Sequence, residues 1–265
     1  MPAVTTPGSY FTRTGPRTFR PTEHVSGGWN TAEQHVAPGM GLLAHAIEAD
    51  RDARRDDGLV VGRLGYDILG TLPMDEVEVA VQVLRPGRTI ELVEATLSHG
   101  GRAVVRLRAW LLQRHDTRAL AGSPVEPLDP PSHPRWEAWH PSEVWPGGFI
   151  ATAELRRGPH TPGAGAYWVR TPVALIEGEP VSRLAEVAGL VDIANGMVAR
   201  VEPEEALYPN IDLTAHLVRE PAPGWLGLDT RVTFGPGGLG LTTSTLHDEQ
   251  GPLGVVSQVL TVRPR

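Results

Sequence analysis

The chain has 265 residues, with 24 arginines, no lysine, no cysteine and a formal charge of −7. Without lysine there is no Schiff base, no pyridoxal anchor and no Walker A loop; without cysteine there are no thiol nucleophiles, thiolate metal sites or disulfides. The acidic balance argues against broad nucleic-acid binding, no run reaches the ~18 apolar residues that span a bilayer, and Met1 to Tyr10 has neither a basic n-region nor an apolar h-region, so a cytoplasmic chain without a signal peptide is expected.

Glycine (30) and proline (25) make up about a fifth of the chain, which fits many tight turns between strands. The first predicted element is a helix over roughly Pro38 to Ala49. Proline suits an opening turn, where its missing N–H costs nothing. The apolar residues Met40, Leu42, Leu43, Ala46 and Ile47 cover most of its circumference, which predicts burial. A mixed run of Asp50, Arg51, Asp52, Arg54, Arg55, Asp56 and Asp57 follows and reads as a solvated helix end.

Three strands come next. In Asp75 to Leu84 the valines at 77, 79, 81 and 83 have period two. A turn at Arg85-Pro86-Gly87-Arg88 leads to Thr89 to Leu97. A second turn, Ser98 to Gly101, leads to Arg102 to Leu112. This is an antiparallel meander. A Pro-rich stretch from 118 to 141 then reads as an interdomain connection, docked by Trp136 and Trp139. It divides the chain into an N-terminal unit (1–117) and a C-terminal unit (142–265).

The second unit repeats the plan. A buried helix is predicted over Pro180 to Val198 from Leu184, Val187, Ala188, Val191 and Ala194. In Asn210 to Val218, Ile211, Leu213, Ala215 and Leu217 share one face, and Asp212, Thr214 and His216 the other. Strands Trp225 to Phe234, Leu239 to Leu246 and Leu253 to Val262 form a second meander. Pro86-Gly87 aligns with Pro236-Gly237, and Gly101 with Gly251, which points to an internal duplication.

Gly235-Pro236-Gly237-Gly238-Leu239-Gly240 fits a dinucleotide fingerprint, but a strand follows it rather than a helix, so a hairpin turn is expected. His115-Asp116 and His247-Asp248 lack the further ligands a metal needs and read as solvated turns. Gln258 shares a row with Val256, Leu260 and Val262. A buried amide there needs partners or a task. Thr233 shares its face with Asp229 and Arg231, so periodicity gives it no weight.

Several segments, in order over nearly the whole chain, carry a resemblance. They are Glu33-Gln34-His35, Gly41 to Glu48, Val83 to Arg88, Val93 to Leu97, Asn195-Gly196, Asn210 to Thr214, Leu246 to Glu249 with Gly251, and Ser257 to Leu260. From about Phe19 to Pro264 the chain resembles the acyl-CoA thioesterase II-like proteins. That resemblance implies an α+β double hot-dog: two tandem folds, each a curved antiparallel sheet wrapped around a central helix.

It also implies hydrolysis of a fatty or related acyl-CoA thioester. In the family an Asp, a Thr and a Gln hold the attacking water, and by position these look like Asp212, Thr233 and Gln258. An Asp can take the water's proton, and a Thr and a Gln can fix its direction. Carried back through the duplication, the three positions fall at about Arg63, Val83 and Arg108, so only one of two pseudo-equivalent sites would be equipped.

Related sequences open the first helix with His-Gly-Gly-Pro. Here it is His35-Val36-Ala37-Pro38, followed by Gly39. Backbone N–H groups of this segment would bind the substrate carbonyl. Neither a metal nor a redox cofactor is implied, coenzyme A being part of the substrate. The implied partner is an acyl-CoA or acyl-carrier-protein thioester, with neither nucleic acid nor membrane. A homo-oligomer is expected, because such sheets commonly pair. The alternatives are a non-catalytic acyl-CoA or acyl-carrier-protein binding module on the same fold, and a hot-dog hydratase. The hydratase pairs an Asp with a His in a helical motif, which is not found here.

Overall fold

The structure is a computed structural model, and residues 8–265 are described. The expectation about a signal peptide rests largely on residues 1–7, which lie outside the described ones. The first half comprises β1 (Ser9–Arg13), β2 (Thr18–Pro21), α1 (Val36–Arg54), β3 (Val60–Ile68), β4 (Val77–Arg85), β5 (Ile90–His99) and β6 (Arg102–Leu112). The second half begins with β7 (Glu137–Trp139), α2 (Gly148–Thr152), β8 (Glu154–Thr161), β9 (Ala164–Arg170), β10 (Ala174–Ile176), α3 (Arg183–Ala188) and α4 (Ala194–Met197). It ends with β11 (Ala206–Leu207), β12 (Asp212–Leu217), β13 (Leu226–Phe234), β14 (Leu239–Asp248), β15 (Gly251–Thr261) and β16 (Arg263–Pro264).

Both predicted meanders form. Between β5 and β6 the chain reverses over Gly100 and Gly101, both at positive φ (54° and 77°), the backbone that glycine adopts without a Cβ penalty. The Gly-rich segment after Phe234 joins β13 to β14 as a hairpin. The two meanders belong to one 14-stranded sheet, joined at its middle by β3 against β12. Strand β10 of the second half crosses to pair in parallel with β1 of the first.

The sheet wraps the helices, which pack on each other inside it. On α1, Met40, Leu42, Leu43 and Ile47 are fully buried. Each such side chain contributes about 1.5–3 kcal/mol. Gly41 faces α3: a Cβ there would lie 2.8 Å from the Ala185 carbonyl oxygen and 3.0 Å from Gly189 Cα. Glycine lets the two backbones touch. This is the double hot-dog architecture, with the helices at its centre.

Four sequence expectations change. The second helix is not continuous: α3 stops at Ala188, a single 3₁₀ turn covers Val191–Ile193, and α4 follows. Gly189 ends α3 by donating its N–H to the Ala185 and Val187 carbonyls. The 118–141 stretch is more than a connection, since β7 adds to the sheet through β8. Trp136 packs with Trp168 and Trp225, and the Trp136 and Trp168 indoles both donate to the Asp129 carbonyl at 3.0 Å.

The charged run after α1 is not simply solvated. Arg54 and Arg55 both reach the buried Glu91 carboxylate, at 2.8 and 3.0 Å. Burial pushes that carboxyl up, but the two guanidiniums outweigh it and hold it below the usual range. Nor is His247-Asp248 a solvated turn, since both residues are buried. The Arg219 guanidinium donates to both Asp248 oxygens, at 2.5 and 2.6 Å, a bidentate pairing. His115 and Asp116 are exposed, as expected.

Candidate active site

The N-terminus of α1 is held by what precedes it. The His35 N–H donates to Val25 O at 2.7 Å, and the Gln34 side-chain amide donates to Pro73 O at 2.7 Å. His35 is the helix N-cap. Its Nδ1 accepts the Ala37 N–H at 3.2 Å, so the ring carries its proton on Nε2. The ring lies against Phe149, centroids 4.2 Å apart. Burial lowers its pKa to about 3, so it is neutral at physiological pH.

Val36 is the first helical residue. Its N–H has no intrahelical acceptor by geometry, and none is found among the described residues. Pro38 has no N–H at all. The first turn of α1 thus leaves one backbone donor free next to His35.

Facing this turn is Asp192, on the 3₁₀ turn between α3 and α4. The break in the helix turns this acid toward His35: Asp192 Oδ2 lies 3.9 Å from His35 Nδ1. Asp192 Oδ1 accepts from Asn210 Nδ2 at 2.6 Å and from Gln258 Nε2 at 2.9 Å. Asn210 lies just ahead of β12, and Gln258 on the inner face of β15, between Val256 and Leu260. Among the described residues no cation is paired with Asp192. Burial therefore outweighs the two amide hydrogen bonds and pushes its pKa up to about 7.

Two acceptors stay unused in this group. Asp192 Oδ2 has no donor within hydrogen-bond distance among the described residues. Gln258 Oε1 is buried without a partner. A buried acceptor without a donor costs free energy unless water or a ligand supplies one. His35, Val36, Asp192 and Asn210 line a cavity of about 460 Å³, the size of a small-molecule site. A small chamber of about 30 Å³ shares His35 and Asn195 with this cavity and is walled also by Trp145, Ile150 and Met197. A larger cleft of about 660 Å³ lies elsewhere, beside Arg156, Arg170 and Trp225, and contains none of this group.

The structure distributes the sequence candidates unevenly. Gln258 belongs to the group. Asp212 does not: it sits on the face of β12 opposite the buried Leu213 and Ala215, and its carboxylate accepts the Val259 N–H at 2.6 Å. Thr233 is exposed beside the buried Val232. Strand side chains alternate, so a one-residue parity puts both outside the sheet. Asp192 and Asn210, rather than Asp212 and Thr233, are the residues that stand with Gln258 at the cavity. His35 and Val36 line the cavity, whereas Ala37, Pro38 and Gly39 are buried behind them and do not. The missed signal was Asp192 itself, the one acid in the largely apolar stretch from Val187 to Val198.

The chain matches two family profiles. Residues 25–112 match the acyl-CoA thioesterase N-terminal domain, and residues 124–262 the acyl-CoA thioesterase C-terminal domain. No curated protein matches at a significant level. Among solved structures it is similar to a hot-dog protein of unknown function from Alicyclobacillus acidocaldarius (TM-score 0.72, 14% identity, 96% of this chain and 95% of that one). It is also similar to the tesB protein of Mycobacterium avium subs paratuberculosis (0.66, 17%, 96% of each) and to the acyl-CoA thioesterase II of Mycobacterium marinum (0.62, 16%, 96% of each). At such identities the structures speak for the fold, while the two profiles between them span most of the sequence: the chain belongs to the acyl-CoA thioesterase family.

Proposed function

We propose that the protein hydrolyses a fatty or related acyl-CoA thioester, with Asp192 as the base. The observation that carries this reading is the Asp192 carboxylate: buried, unpaired with any cation among the described residues, pinned at Oδ1 by two amides and open to the cavity at Oδ2. A water that donates one proton to Asp192 Oδ2 and the other to Gln258 Oε1 has a lone pair free for attack. Its oxygen adds to the thioester carbonyl while Asp192 takes a proton. Negative charge then develops on the carbonyl oxygen, where the Val36 N–H can receive it. Collapse of the adduct breaks the C–S bond and releases coenzyme A. A thiol leaving group of pKa about 8.5 needs little acid assistance, and the proton on Asp192 can return to it. No covalent enzyme intermediate is required. Asn210 holds the carboxylate in place, in the position the family pattern would give to Thr.

Self-association belongs to the same proposal. Leu241 and Val259, cross-strand partners on the outer face of the second-half sheet, are exposed. Sedimentation of the wild type would return a monomer if they stay uncovered.

The test of catalysis is thiol release from acyl-CoAs of short to long chain. Asp192→Asn is expected to lower turnover by about 10²–10⁴-fold. A specific observation favours the binding-only alternative: of the first N–H groups of α1, Ala37's is taken by His35 and Pro38 has none, so a single donor is left for the oxyanion. Tight binding of an acyl-CoA with no thiol released from any chain length would select that alternative.

A further inference from the structure

Two arginines line the mouth of the same cavity. Arg263 lies on β16, the short strand that pairs with β11, and the next but one residue is Arg265. The Arg265 N–H donates to Glu205 O at 3.0 Å, which ties this ribbon beside the opening. Neither guanidinium has a carboxylate within 4.0 Å, nor a hydrogen bond, among the described residues. Every arginine on α1 and its following turn is paired. Two carboxylates line the cavity with them, Glu33 and Asp192, and neither pairs with either guanidinium among the described residues.

The spacing is informative. Gln258 sits at the reacting end, and Arg263 follows five residues later along a nearly extended chain, a distance of at most about 16 Å at ~3.3 Å per residue. From the sulfur of a pantetheine thioester to its first phosphate is about a dozen bonds, or roughly 14 Å at the ~1.1–1.2 Å per bond of an extended backbone. A thioester held at Asp192 and Val36 therefore brings its phosphate within reach of these two guanidiniums. The planar fork of arginine suits a phosphate.

We propose that Arg263 and Arg265 bind the phosphate of a phosphorylated pantetheine arm, making them the residues that recognise the carrier rather than the acyl group. This rests on the thioesterase reading only for the identity of the arm. Phosphate next to pantetheine is common to coenzyme A and to the prosthetic group of a carrier protein, and a free arm separates the two. A ligand-binding role for the ribbon alone does not need catalysis, so the two readings fail separately.

The experiment measures binding of coenzyme A, dephospho-coenzyme A, phosphopantetheine and pantetheine by calorimetry, for wild type, Arg263→Gln/Arg265→Gln and Arg263→Lys/Arg265→Lys. Melting curves check that the variants fold. The Gln pair is expected to weaken the phosphorylated ligands about tenfold and leave pantetheine unchanged. The Lys pair should recover part of the loss, and added salt should shrink it. In turnover, the Gln pair should raise KM for acyl-CoA with kcat unchanged, and alter neither for an acyl-pantetheine. Equal loss for pantetheine and coenzyme A, no loss for any ligand, or no wild-type preference for the phosphorylated arm would each overturn the proposal. If phosphopantetheine shows the full effect, the first phosphate is the one bound. If only coenzyme A does, the contact is to the nucleotide phosphates and the proposal is overturned.

Discussion

The two halves of the molecule each bury an acid on their central helix, and the acids end up in different conditions. In the first half α1 runs 19 residues without a break, and its acid is Glu48. The Ser182 hydroxyl donates to Glu48, Arg51 lies 3.8 Å away, and Glu48 lines none of the cavities above. In the second half the helix breaks, and the break delivers Asp192 to a cavity with one oxygen free. Burial raises the pKa of both. Glu91 and Asp248 are buried too, but arginines hold them low. A raised acid is thus not by itself a site. Here the site is a raised acid, an orphan amide oxygen, a free helix N–H and a cavity together.

The largest effect that could break this comparison is on Asp192. Hydrolysis by Asp192→Asn at wild-type rate would remove the distinction between the two acids. The wild-type rate itself should rise about tenfold per pH unit below pH 7 and level off above it, since the base must be ionised. Stability carries the opposite sign. The folded chain keeps the Asp192 proton up to about pH 7, while the unfolded chain loses it near pH 4. Folding stability from this group is therefore full below pH 4 and falls as pH rises through 7. Asp192→Asn should accordingly melt higher than wild type at pH 8, as scanning calorimetry can show.

Gln258→Ala should lower kcat by roughly 10–100-fold, through loss of water positioning and of a carboxylate partner. Wild-type kcat in this variant would take Gln258 out of the mechanism. Gly41→Ala tests the contact between the helices rather than the acids. Alanine favours a helix by about 0.8–1 kcal/mol, but backbone atoms of α3 stand where its Cβ must go, so a net loss of about 1–3 kcal/mol is expected in urea unfolding. Smallest of all is Glu48→Gln, expected to change kcat less than about threefold, since the residue lines none of the cavities described. A hundredfold loss there would mean that both halves take part in the chemistry.

The hairpins were legible because turn chemistry is local: Gly100-Gly101 needs no partner to be recognised. Gln258 was legible because an amide in an apolar row has few bland explanations. The break in the second helix was not, since Gly189 resembles a tolerated interior glycine until Gly41 is seen against it. Asp192 was masked by its neighbours, which are apolar on both sides and keep a helical period across it. Asp212 attracted the role instead, although Asn210, two residues earlier, is the one that turns inward as the strand begins. Sequence spacing does not fix which face a strand's end presents when the strand opens from a loop.

The crossing of β10 to β1 has a consequence in time. The Thr12 hydroxyl donates to Glu177, 165 residues further along the chain. At about 5–20 residues per second of synthesis, β1 waits roughly 8–33 s for its partner to exist. During that interval the first-half sheet has an open edge, the kind that recruits other strands. Arrested nascent chains ending near residue 117 should therefore be cut readily by protease within residues 9–21, and chains ending past residue 177 should resist. The order of manufacture makes the protein, while young, dependent on whatever shelters an unfinished edge.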